Sequence, residues 1–281
     1  MRVFVAGASG AIGRLLVPLL LADGHEVTGT SRSAAGVRAL QHHGADAVQV
    51  DVYDRQALTA AVRDAAPEVV MHQLTALAEG NPADNARIRR EGTRNLADAA
   101  AAGVRRLVAQ SIAWAYEPGD TPATEETPLD LSAEGPRAVT VGGVHALETR
   151  AAQMDHVVLR YGTFYGPGTW YRPDDRIGRQ FREGGFTATD AVTSFVHVED
   201  AAIAAAAALR WPAGIYNIVD DEPAPALDWA PVLAAALGAP RPRAGAGRAG
   251  WERGADNSLS RTKLDWQPRY ASWREGFATL S

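Results

Sequence analysis

The sequence predicts a doubly wound parallel α/β sheet with a smaller C-terminal lobe. Three observations predict it. Short apolar runs alternate with helical repeats through the first part of the chain. A glycine triplet follows directly on the first run. Beyond about residue 160 the chain becomes aromatic and rich in Gly, Pro and Ala, with few regular elements. With 281 residues there is room for one large α/β domain or a domain with a lobe. The expected division is 1–160 and 161–281, with strands around 192–219 interleaved into the first part.

Val3, Phe4 and Val5 form the first run, as expected of a buried strand. Gly7, Gly10 and Gly13 follow as G-x-x-G-x-x-G, and Ile12, Leu15, Leu16, Leu19 and Leu20 recur at helical spacing. Strand, glycine turn and helix is the arrangement that brings backbone N–H groups and a helix N-terminus against a pyrophosphate. Gly7, Ser9, Gly10, Ala11, Ile12 and Gly13 are therefore expected at a dinucleotide.

Composition removes several function classes. Net charge is −5 with no basic run, which argues against nucleic acid. The absence of cysteine excludes disulfides, thiol catalysis and thiolate metal sites. No stretch has the length and apolarity of a membrane span, and no leader precedes the first strand, so the expected compartment is the cytoplasm. Lys263 is the single lysine.

The later elements follow in order. Gly24–Thr30 turns into a second strand that ends in Ser31, Arg32 and Ser33. An acid near this point binds a ribose diol, whereas an arginine accommodates a 2′-phosphate, so Ser31 and Arg32 favour NADP over NAD. Ala47–Val52 is a third strand. Asp51 and Val52 are placed to meet an adenine, and Asp51 is equally suited to cap the next helix. Glu68–Thr75 is a fourth strand running into a loop, with Leu74 and Thr75 on the cofactor side and His72 in the core. Residues 85–102 suit a helix, stopped by Gly103. Arg106–Ser111 is a fifth strand with Ser111 at its C-terminal end, where open α/β sheets bind ligands. A surface loop over 117–136, a helix from about Val139 to Met154 and a sixth strand, His156–Tyr161, follow. Thr193–Asp200 reads as a strand entering an alanine-rich helix, Ile215–Val219 as a last strand, and the remainder as an irregular lobe.

Together these motifs resemble an extended-type short-chain dehydrogenase/reductase of the NAD(P)-dependent epimerase/dehydratase group, with its Rossmann sheet. Gly7–Gly13 is similar to the family's cofactor turn, Asp51-Val52 to its adenine pair, and His72–Thr75 to the loop after its fourth strand. Gly92–Asn95, Leu159–Tyr161 through Tyr165–Gly168, Phe195–Asp200 and Leu264–Pro268 resemble further family motifs, so the likeness spans nearly the whole chain. It implies Tyr161 beside the cofactor, a small carbonyl or alcohol as substrate, and a possible homodimer.

The resemblance breaks at the proton-transfer centre. The family carries Tyr-x-x-x-Lys on one helix face, the lysine lowering the tyrosine's pKa. Counting back from Glu148, those slots fall on Thr140 and Val144. The serine slot falls on Ile112 when counted from Tyr116, or on Ser111 if the loop slips by one. Ser111, Tyr116, Thr140, His145 and Tyr165 are the candidate substitutes, each equally suited to packing or exposure. The expected function is an NADP-dependent oxidoreductase or redox-neutral epimerase or dehydratase. The competing readings are a repurposed scaffold for a non-redox isomerisation or cyclisation, and an NADP-binding sensor without catalysis.

Overall fold

In the computed structural model, residues 1–76, 80–101 and 103–280 are described. Seven strands form one parallel sheet. They are β1 (Arg2–Ala6), β2 (Glu26–Ser31), β3 (Asp46–Gln49), β4 (Val69–His72), β5 (Arg106–Ile112), β6 (His156–Tyr161) and a last strand, Gly214–Ile218. Their spatial order is Gly214–Ile218, β6, β5, β4, β1, β2, β3. The register sets Val3 against Val27 on one side and Val69 on the other. Strands bridged by helices can pair this way only through crossovers, so the order reverses beside β1, where such sheets take ligands.

The chain divides into two compact units. Unit 1 holds 1–111, 131–159 and 202–215; unit 2 holds 112–130, 160–201 and 216–281. In unit 1 the helices are α1 (Gly13–Ala22), α2 (Ala34–His42), α3 (Arg55–Ala65), α4 (Pro82–Arg87), α5 (Thr93–Ala100) and α6 (Gly135–Ala151). Phe4, Leu58, Val70, Leu96, Leu107 and Leu147 form one buried cluster of the sheet with α3, α5 and α6. Each such side chain contributes about 1.5–3 kcal/mol by leaving water.

Sequence expectations and structure part in four places. The helix expected over 85–102 is α4, a π-helical turn over Ile88–Gly92, and α5; Ala102 lies outside the described residues. Apolar periodicity does not register one wider turn. The helix expected from Val139 starts at Gly135, because Pro136 suits a first turn, whose N–H groups need no helical partner. Asp51 does not cap α3. Asp54 does, accepting from Ala57 N at 3.0 Å, while Asp51 accepts from Tyr53 N at 2.9 Å. The C-terminal remainder is not wholly irregular, since Ala226–Ala236 is an eleven-residue helix with Trp229, Ala230, Leu233 and Ala234 buried.

Unit 2 is held by aromatic packing. Phe195 meets Tyr165, Tyr171, Trp229 and Phe277 edge-on, with ring centroids 6.1, 5.8, 5.2 and 5.3 Å apart. Edge-to-face pairs of this kind are worth about 0.5–1.5 kcal/mol beyond their burial.

Candidate cofactor and substrate sites

Unit 1 contains a cavity of about 260 Å³ at the C-terminal ends of β1, β2 and β4. It is lined by Gly7, Ser9 and Gly10 of the first turn, by Ser31 and Arg32, by Asp51 and Val52, and by Gln73, Leu74 and Thr75. All of these except Gln73 are expected cofactor residues, and the fold gathers them around one pocket. Ala11, Ile12 and Gly13 continue the same turn into α1, with Ile12 as its N-cap. Tyr161, the remaining one, is fully buried in unit 2 and donates its hydroxyl to Ala201 O at 3.1 Å.

The turn is built for a close approach. Gly7 has φ +88°, and a Cβ there would stand 2.5 Å from Gln73 O. A Cβ on Gly13 would stand 2.4 Å from Gly7 O, so backbone fills the space a side chain needs. Gln73 is 5% exposed, and neither its amide nitrogen nor its amide oxygen has a partner among the described residues. Two unsatisfied polar atoms beside a glycine cradle fit a polar ligand, here the ribose and phosphate portion of a dinucleotide.

The end of β2 has no carboxylate. Ser9 Oγ lies 3.1 Å from Ser31 Oγ, Ser31 Oγ accepts from Ser33 N at 3.3 Å, and Ser33 caps α2 by accepting from Gly36 N at 3.1 Å. Arg32 is exposed beside these three serines.

His72, at the end of β4, is a core histidine. It is fully buried, Nε2 lies 2.9 Å from Thr93 Oγ1, and Nδ1 accepts from Leu74 N at 3.3 Å. Burial, reinforced by Arg89, lowers its pKa to about 4. Arg89 is itself buried and lowered to about 10, opposed by the Glu148 carboxylate.

The candidate catalytic residues fall into both units. In unit 1, Ser111 is fully buried at the end of β5 and donates to Glu148 Oε1 at 2.8 Å. On α6, Thr140 is half-buried, Val144 is fully buried and His145 is exposed. In unit 2, Tyr116 is 1% exposed and donates its hydroxyl to Asn217 Oδ1. Tyr165 is fully enclosed and its hydroxyl has no partner among the described residues. Burial pushes its pKa, and those of Tyr161 and Tyr171, well above the usual phenol value. His197 Nε2 is also buried without a described partner, and burial lowers its pKa.

Unit 2 holds a second cavity, of about 280 Å³. Ala113 and Trp114, which follow β5, and Gly162, which follows β6, line it with Trp251, Glu252 and Gly254. Sequence reasoning passed over Gln73, Trp114 and Trp251. Gln73 stands inside the His72–Thr75 motif, but its unmet hydrogen bonds are a tertiary fact. The two tryptophans are distant in sequence and meet only in the fold.

The profile of the NAD dependent epimerase/dehydratase family matches residues 3–219. The chain belongs to that family, whose members use a nicotinamide cofactor, and is an epimerase-, dehydratase- or reductase-like enzyme. Among its relatives is the 3-diazoavenalumate denitrifying reductase of a Streptomyces species, 47% identical over 98% of this chain and 99% of the relative. UDP-glucose 4-epimerase of Mycolicibacterium smegmatis is 31% identical over 59% of this chain and 57% of its own. Among solved structures, the UDP-glucose 4-epimerase of Thermus thermophilus in complex with NAD superposes with a TM-score of 0.78 at 28% identity, covering 100% of this chain and 97% of that one. No helix among the described residues is long and apolar enough to cross a membrane.

Proposed function

We propose that this protein is an NADPH-dependent reductase that replaces a diazonium group of a small molecule by hydrogen, releasing N2. The observation that carries the reading is the identity of the two α6 positions where the family resemblance puts a proton-moving tyrosine and lysine. They are Thr140 and the fully buried Val144. Reduction of a carbonyl needs a proton delivered to oxygen, and loss of a general acid costs about 10²–10⁴ in rate. Replacement of a diazonium group does not. In the net step R–N2⁺ + H⁻ → R–H + N2, a C–H bond forms, the C–N bond breaks, and its electron pair leaves on nitrogen. No oxygen gains or loses a proton. The 47% likeness to a denitrifying reductase supports the same chemistry.

The bound nicotinamide supplies the hydride. The chain's own residues bind and orient. Gly7–Gly13 would receive the pyrophosphate, and the Gln73 amide would supply a hydrogen bond to the ribose or phosphate portion. Ser9, Ser31, Arg32 and Ser33 would receive a 2′-phosphate, which favours NADP over NAD. Ser111 is engaged by Glu148, so it orders the sheet–helix junction and does not move a proton.

The test is an anaerobic reaction of the purified protein with NADPH deuterated at the transferring position and a ¹⁵N-labelled arenediazonium salt, against a protein-free control. One labelled N2 per NADPH and deuterium at the vacated carbon are expected. A protein that interconverts UDP-sugars and adds nothing to N2 release sinks the reading.

A further inference from the structure

The unit 2 cavity has an unusual wall. Trp114 and Trp251 face it with ring centroids 6.4 Å apart and planes inclined by 41°. Glu252 contributes a carboxylate, and the rest of the lining includes small residues such as Ala113, Gly162 and Gly254. None of the lining residues is basic. A nucleoside diphosphate sugar brings two phosphate charges, which such a pocket has nothing to neutralise. Indole faces carry negative quadrupole charge and attract cations and electron-poor rings. A carboxylate beside them adds to that preference.

Two arginines that are close to this wall are spent on holding it. Arg253 donates from Nη1 to Glu117 O at 3.2 Å and from Nη2 to Thr121 Oγ1 at 3.2 Å, and from Nε to Thr121 O. Arg248 donates from Nη2 to Gly119 O at 3.1 Å and to Asp120 Oδ1 at 3.1 Å. Gly119 N in turn donates to Gly250 O at 3.0 Å. These bonds tie the segment after Trp114 to the segment that carries Trp251. They also turn both guanidinium groups toward backbone oxygens. A Cβ on Gly119 would stand 2.2 Å from Arg253 Nη1, so the absence of a side chain there is a condition of the clamp.

We propose that this cavity binds a flat aromatic ring bearing a cationic or strongly electron-withdrawing group against Trp114 and Trp251, and that Arg253 is the residue that positions this wall. The inference deepens the reductase reading and rests on it only for the identity of the group that reacts.

The probes are 4-hydroxybenzonitrile, whose linear C≡N imitates N≡N⁺ without reacting, 1-methylpyridinium, and UDP-glucose. Each is titrated calorimetrically into the NADP-loaded protein while tryptophan emission is followed. Both arenes are expected to bind and quench emission, and UDP-glucose to bind more weakly. Trp114→Ala and Trp251→Ala should each weaken arene binding about 5- to 20-fold, and Trp251→Phe should restore most of it. Arg253→Gln and Gly119→Ala should both raise KM for the diazonium substrate several-fold with kcat little changed, and leave NADPH affinity at the wild-type value. That separates positioning from global damage, as NADPH affinity reports on unit 1. Arene binding that ignores both tryptophans, or UDP-glucose binding tighter than either arene, overturns the inference even where N2 release is intact. Tryptophan-dependent arene binding without N2 release overturns the reductase reading and leaves this inference standing.

Discussion

The hydroxyl of Ser111 donates to the Glu148 carboxylate at 2.8 Å inside unit 1. The residue at the end of β5 is therefore fixed to α6, four positions along that helix from Val144. Glu148 also opposes the depression of the buried Arg89. Serine, glutamate and arginine form one interior polar group beside the helix face that carries Thr140 and Val144.

Ser111→Ala should cost about 1–3 kcal/mol in urea unfolding, because it removes a buried hydrogen bond to a charged group. Thr140→Val should change N2 release by less than about threefold, since no proton passes through that position. A large rate loss in Thr140→Val, measured under saturating NADPH, would restore Thr140 as a proton donor.

Arg32 should decide the cofactor. Arg32→Ala is expected to weaken NADPH binding about 10- to 100-fold, the loss of one or two charge-assisted hydrogen bonds, and to leave NADH nearly unchanged. Fluorescence titration with both cofactors reads the ratio directly. Equal losses for the two would place Arg32 outside a 2′-phosphate site.

The glycine cradle and Gln73 should act on binding alone. Gly7→Ala drives a Cβ to 2.5 Å from Gln73 O at a φ of +88°, so cofactor binding should fall below detection while far-ultraviolet circular dichroism persists. Gln73→Leu removes two unsatisfied atoms, so it should raise the melting temperature of the apoprotein and weaken NADPH about tenfold.

His72 should give unit 1 an acid limb. Its folded pKa of about 4 lies below the unfolded value of 6.5, so the unfolded chain binds more protons between them. Its contribution is complete above pH 6.5 and is lost as pH falls toward 4, at most about 3 kcal/mol. Protonation of Nδ1 also removes the acceptor for Leu74 N, which lines the cofactor cavity. NADPH affinity should therefore fall with stability in the same pH window, and His72→Gln should flatten both.

Asp220 should give unit 2 the opposite limb. Burial lifts its carboxyl to about 8, against the N–H groups of Glu222 and Trp273 that favour its charge. A group raised in the folded state contributes fully below its unfolded value and is lost as pH rises through the folded one. Unfolding free energy from this group should thus decline between about pH 4 and 8, and Asp220→Asn should remove the decline.

The sheet was legible because its signals are local. Val3–Val5, the three glycines and the helical repeat after them declare β1, the turn and α1 without any long-range information. The gathering of Gly7, Ser31, Asp51 and Leu74 around one cavity was legible for the same reason, as each follows or ends its own strand. The π-helical turn at Ile88–Gly92 was not, because one extra residue in a turn leaves the apolar spacing almost intact. The helix Ala226–Ala236 was hidden by Pro231, a residue that reads as a breaker. Trp114 and Trp251 carried no such local signal, since their segments meet only in the fold, through the arginine clamp, the bond from Gly119 N to Gly250 O and their own ring contact.

The threading of the chain through the two units, 1–111, 112–130, 131–159, 160–201, 202–215 and then 216–281, limits how this protein can be re-engineered. No single cut releases either unit intact. Exchange of unit 2 for that of a relative requires three coordinated grafts, each with its own junctions to match. Change of specificity is consequently more accessible by point substitution at Trp114, Trp251 or Glu252 than by recombination of whole modules.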